Sequence, residues 1–217
     1  MKKKFSVKKT VLIGMLAAVA YITVFLFRIP VVMFLKYEPK DVIITIGGFL
    51  LGPMTAFLTS LVVSLVEMLT ISETGPIGAL MNLISTCTFA CTAAIIYKRR
   101  HTLGGAVLGL GVGSVVMIGT MLLWNWLITP LYMVNTSRAD VAAMLVPVFL
   151  PFNALKAGLN SAFVLLLYKP LVSALRRTGL VETKSTGKGG SKVGIYLLGA
   201  ALLATCILLL LVFQGKL

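Results

Sequence analysis

Long apolar runs alternate with short polar, glycine- or proline-bearing breaks along the whole chain, and seven helices follow from that alternation. They are Thr10–Phe27, a short one from Asp41 to about Leu51, Met54 to about Ile71, Pro76–Tyr97, Leu103 to about Ile128, one from about 147 to Leu175, and Val193–Phe213. Most are long enough to cross a bilayer; the run after Asp41 lies near the lower limit. Asp41 is placed to cap that short helix, and Gly52-Pro53 to end it. Segment 28–40 carries two prolines and mixed charge. It is too polar to span and too apolar for a solvated linker, and it reads as an ordered loop folded over the membrane face. Residues 129–146 read as a mildly polar connection.

Within the apolar run 144–167, Asn153, Lys156 and Asn160 stand at i, i+3 and i+7. On a helix these share one face within roughly 60°. A Lys at the centre of a spanning helix costs about 2.5–3.5 kcal/mol on insertion scales, so the stripe is expected to face a polar interior or a ligand. The plainer reading has Lys156 snorkelling outward and the amides joining helices. Removing Lys156 is expected to leave folding intact, because it relieves that insertion cost.

Composition supports the pattern. Of 217 residues 59% are hydrophobic and 12% charged, and the mean hydropathy is +1.02; these values belong to a multi-pass membrane protein. The formal charge of +14 does not indicate nucleic acid, because the basic residues cluster between apolar spans with no aromatic-interleaved patch. With a cytoplasmic N-terminus, 14 of the 20 Lys and Arg fall inside: Lys2, Lys3, Lys4, Lys8, Lys9, Lys98, Arg99, Arg100, Lys169, Arg176, Arg177, Lys184, Lys188 and Lys192. That asymmetry fits the positive-inside rule in the cell membrane. It also gathers Lys156, Asn153, Asn125, Glu73 and the 28–40 segment at the external face, as a solute site opening outward requires. The basic N-terminus, with no A-x-A-like site after it, reads as a retained first helix.

Other polar residues are weaker signals. Glu67, near a helix end, is a candidate functional carboxylate or a solvated interfacial one. Trp124 and Trp126 read as an aromatic belt, which leaves Asn125 between them unexplained. Asn82 falls one turn into the fourth helix, and His101 reads as a headgroup-facing charge. Cys87, Cys91 and Cys206 lie in apolar runs without nearby His or carboxylates, so they read as packing residues rather than a metal site. Gly14 and Ala18, with Ala17 beside them, form a small-residue face suited to close helix contact. No HExxH, GxSxG or P-loop is present, so neither an enzyme nor an ATP-binding subunit is indicated.

Four ordered blocks, Phe34–Asp41 (FLKYEPKD), Ile46–Pro53 (IGGFLLGP), Gly75–Asn82 (GPIGALMN) and Pro151–Lys156 (PFNALK), resemble the riboflavin-binding S component of energy-coupling factor (ECF) vitamin transporters over roughly residues 8–178. The resemblance implies an all-α, six-helix membrane bundle that binds riboflavin, with FMN as a further candidate, under the first loop at its outer face. It implies no cofactor, and as partners a transmembrane coupling subunit and two cytosolic ATPases that alone use ATP. By motif, Asn153 and Lys156 correspond to polar contacts to the flavin ring, with Asn125 as another; Asn160, Asn82, Glu73 and Tyr37 complete the candidate ligand set. The family docks through an Ala-xxx-Ala pattern on the first helix. Gly14 and Ala18 are the nearest match here, with Ala17 adjoining.

The expected organisation is a substrate-binding membrane domain over 1–178, a basic Gly/Ser linker over 179–192, and an additional C-terminal transmembrane helix over 193–217. The apolar run Val193–Phe213 within it carries no charged residue and reads as an anchor or appendage. An S component for another vitamin, and a membrane scaffold that does not transport, stay open as alternatives.

Overall fold

A computed structural model describes residues 7–33, 35–72, 75–132, 137–177 and 192–215. Within them the chain is helical apart from one hairpin: α1 (Val7–Leu26), β1 (Ile29–Val32), β2 (Leu35–Tyr37), α2 (Lys40–Leu51), α3 (Pro53–Thr70), α4 (Gly75–Arg100), α5 (Leu103–Tyr132), α6 (Arg138–Met144), α7 (Leu150–Arg177) and α8 (Lys192–Phe213). A π-helical turn, Leu145–Phe149, joins α6 to α7. With α6–α7 counted as one rod, the first six helices form the bundle and α8 is the additional one.

Six of these helices are long and apolar enough to cross a membrane, the α6–α7 rod counted once. The exception is α2, whose 12 residues extend about 18 Å, well short of the hydrocarbon core. It is tucked inside instead: Val42, Ile44 and Ile46 are buried. A Cβ at Gly48 would lie 3.0 Å from the Ala56 and 3.1 Å from the Ala94 side chain. Gly52, at φ +99°, supplies the left-handed turn into α3, which starts on Pro53.

Two of the glycines in α5, Gly109 and Gly113, allow close helix contact. A Cβ at Gly109 or Gly113 would sit 2.7 Å from the carbonyl oxygen of Ala93 or Phe89 on α4, so the two backbones touch. Around them Phe89, Leu110, Met117 and Val164 build the main apolar core. Phe49 stacks on Tyr97 with ring centroids 4.5 Å apart, and the Tyr97 and Tyr168 hydroxyls meet at 2.6 Å. This aromatic group closes the end of the bundle opposite the hairpin.

Several expectations change. The 28–40 segment is not a loop but an antiparallel hairpin, Ile29 opposite Tyr37 and Pro30 opposite Lys36. The 129–146 connection contains α6, opened by a reciprocal cap between Ser137 and Asp140. Asp41 caps nothing: Pro39 holds the cap position, with no side-chain bond. Trp124 packs against the core with its indole N–H buried and unbonded; only Trp126 is exposed as a belt residue would be. The 179–192 linker lies outside the described residues except for Lys192.

Candidate ligand-binding site

A cavity opens at the hairpin end. Arg28, Leu35, Lys36 and Glu38 of the hairpin region wall it from one side. Ile77, Gly78, Met81, Asn82 and Ser85 of α4, Met121 and Asn125 of α5, and Phe152, Asn153 and Lys156 of α7 complete it. About 840 Å³ free of protein atoms lies between them, part of it open solvent at the mouth. The wall combines thioether and aromatic surface from Met81, Met121 and Phe152 with amide groups from Asn82, Asn125 and Asn153.

The helical stripe positions part of this wall. Asn153 donates to the Phe149 carbonyl at 2.8 Å, which ties down the NH₂ end of its amide. Asn125 donates to Met121 O at 2.7 Å and accepts from the Thr129 hydroxyl at 3.0 Å. Both side chains are thereby fixed before any ligand arrives, which lowers the ordering cost of binding. Asn82 donates to Glu67 at 3.1 Å.

Beneath the cavity lies a network of buried charge. Lys40 is 1% exposed and sits 2.5 Å from Glu38 and 2.6 Å from Glu67. Arg28 bonds Glu38 at 2.9 Å and the Ile71 carbonyl at 3.0 Å. Asp41, 0% exposed, accepts from Thr86 at 2.6 Å and Asn160 at 3.1 Å, and pairs with Lys156 at 3.3 Å. Lys156 also donates to Ser85 at 3.1 Å, and Tyr37 donates to Asn160 at 3.0 Å. Three cations thus face three carboxylates, as a low-dielectric interior demands. Burial alone would raise the Glu38 carboxyl, but the Lys40 ammonium, with Lys156 and Arg28, holds it below the usual carboxylate range.

The candidate residues therefore separate. Asn125, Asn153, Lys156 and Asn82 come together on the cavity wall. Asn160 and Tyr37 do not: both are buried and bonded to each other behind it, where they tie the hairpin to α7. Glu73 lies outside the described residues. Lys156 is a counter-ion as well as a wall residue, so its removal strands Asp41 rather than relieving a cost, contrary to expectation. Glu67 is neither solvated nor free, being held by Lys40 and Asn82. On α1, Gly14 and Ala18 are exposed, and nothing lies within 4 Å of a Cβ at Gly14. Ala17, a candidate on the same surface, is buried instead and packs with Ala20, Ile44 and Ala56.

The charge network was the part sequence reasoning missed. Lys40 and Asp41 open an otherwise apolar helix, and Lys156 interrupts another. Unlike charges in two apolar helices call for each other as partners, and that was the available signal.

Residues 8–168 match the family described as ECF transporter, substrate-specific component. The chain is 30% identical over 177 residues to the riboflavin transporter RibU of Staphylococcus aureus, covering 78% of this chain and 93% of that one. It is 26% identical over 160 residues to the riboflavin transporter FmnP of Bacillus subtilis, covering 69% and 84%. A solved structure described as the S component of a bacterial ECF transporter superposes with a TM-score of 0.65 at 29% identity, covering 78% of this chain and 98% of that one.

Proposed function

The chain belongs to the substrate-specific components of ECF transporters, and we propose that it captures riboflavin in the cavity beneath the hairpin for uptake into the cell. One observation carries the reading: Asn82, Asn125, Asn153 and Lys156 converge on a cavity that Met81, Met121, Phe152, Ile77 and Leu35 also line, with Arg28, Lys36, Glu38 and Ser85 adding to its polar part. A flat ring system with apolar faces and a carbonyl- and imide-bearing edge matches that division of the wall. Asn153 and Asn125 read the edge, and Lys156, steadied by Asp41 and Ser85, donates to a ring carbonyl or nitrogen. Two relatives named riboflavin transporters support the same ligand.

The membrane orientation follows from charge. Lys98, Arg99 and Arg100 end α4 opposite the cavity, so the cavity faces outward and the N-terminus lies in the cytoplasm. The exposed Gly14–Ala18 face of α1 is the docking surface for a transmembrane coupling subunit, which with two cytosolic ATPases supplies the energy. Residues 1–178 act as the capture domain, joined through 179–192 to the additional helix.

The test is the absorbance spectrum of detergent-purified protein, followed by separate riboflavin and FMN titrations with flavin fluorescence as readout. A flavin spectrum with saturable quenching supports riboflavin. A colourless protein that quenches neither ligand passes the cavity to another vitamin. Gly14→Leu leaves quenching unchanged and lowers uptake when the coupling subunits are present; normal uptake would remove α1 as the docking surface.

A further inference from the structure

The family match ends at residue 168, so α8 lies beyond it, yet α8 does not stand apart from the site. It packs along α7, the helix that carries Asn153 and Lys156. The contact is tight at Gly158, where a Cβ would lie 2.6 Å from Cys206 Sγ. Leu203, Cys206, Leu210 and Phe213 recur at three- to four-residue spacing on one face of α8. They join the apolar cluster that contains Leu35 and Phe152, two residues of the cavity wall. Just past the end of α8, the Gln214 side-chain amide donates to the Pro30 carbonyl of β1 at 3.0 Å.

The hairpin needs such support. Strands of four and three residues make a ribbon that is marginal in isolation. Arg28 and Tyr37 secure its two ends to α3 and α7. Between those ends, Pro30 pairs with Lys36, which faces the cavity, and Gln214 holds that rung from behind. The geometry points to α8 as a brace in cis: it fixes the hairpin over the cavity and slows ligand release, with Gln214 and Phe213 as positioning residues that never touch the ligand. The kinetic readout of this inference rests on riboflavin being the ligand; the structural readout does not.

The test uses the full chain in detergent, comparing wild type with Gln214→Ala and Phe213→Ala. Riboflavin release is followed by fluorescence recovery on dilution, and hydrogen exchange is followed at residues 29–37. Loss of one hydrogen bond corresponds to release faster by about three- to tenfold. The association rate and melting temperature of Gln214→Ala stay near wild type, and hairpin exchange quickens. Unchanged release and unchanged hairpin exchange in both single variants would overturn the brace. Faster hairpin exchange in a protein that binds no riboflavin would uphold it and overturn the choice of ligand instead.

Discussion

The two ends of this bundle solve opposite problems. At the hairpin end, Lys40, Arg28 and Lys156 face Glu38, Glu67 and Asp41 under a cavity lined with amides. At the other end, Phe49, Tyr97 and Tyr168 interlock, and two glycines bring α4 and α5 into backbone contact. One end keeps polar groups ready for a solute and neutralises the charges that hold them. The other fills its space with stacked aromatic rings and close helix contact. The opening for a solute therefore lies at the charged, hairpin-covered end.

The strongest way to break this contrast is to unbalance the charged end. Lys156→Ala leaves Asp41 buried without its cation and should destabilise the fold by about 3–5 kcal/mol. Thermal unfolding in detergent reads the loss. Adding Asp41→Asn should recover much of it, and a melting temperature unaffected by Lys156→Ala alone would show that the pair does not carry the fold. Asn153→Ala sharpens the contrast from the ligand's side. It should weaken riboflavin binding by about 1–3 kcal/mol, from an unpaired polar edge on the ligand, with unfolding little changed. Titration and melting on the same sample separate the two effects.

The packed end should respond in the reverse sense. Gly113→Ala places a Cβ 2.7 Å from the Phe89 carbonyl oxygen and should cost about 1–3 kcal/mol of stability through overpacking. Riboflavin affinity should stay within about twofold, since the site is remote from the cavity. The smallest effect concerns α6. Ser137→Ala removes a reciprocal cap and should cost about 1 kcal/mol. Thermal unfolding in detergent reads that loss, and a melting temperature unchanged by Ser137→Ala would contradict the cap.

Hydrophobic periodicity made the seven helices and most of the cavity's polar wall legible. Asn153 and Lys156 announced themselves because amides and an ammonium on one face of an apolar helix have no place against lipid. The rest was hidden by competing local rules. Asp41 sits where a helix cap belongs, and capping residues are common there; the distant Lys156, Asn160 and Thr86 explain its burial. The hairpin strands are too short and proline-broken for a period of two to register. Residues 129–146 read as a connection, whereas α6 and the π-helical turn across 145–149 continue into α7 as one rod. Ala17 was separable from Gly14 and Ala18 by phase alone, since adjacent helical residues point about 100° apart.

The claim that riboflavin occupies the hairpin-end cavity is tested most directly at Met81, a half-buried residue of the cavity wall. A Met81→Cys variant would be labelled with a thiol reagent, with and without saturating riboflavin, against the background of Cys87, Cys91 and Cys206. The account predicts that bound riboflavin protects Cys at this position while background labelling is unchanged. Labelling at the same rate with riboflavin demonstrably bound would place the ligand elsewhere.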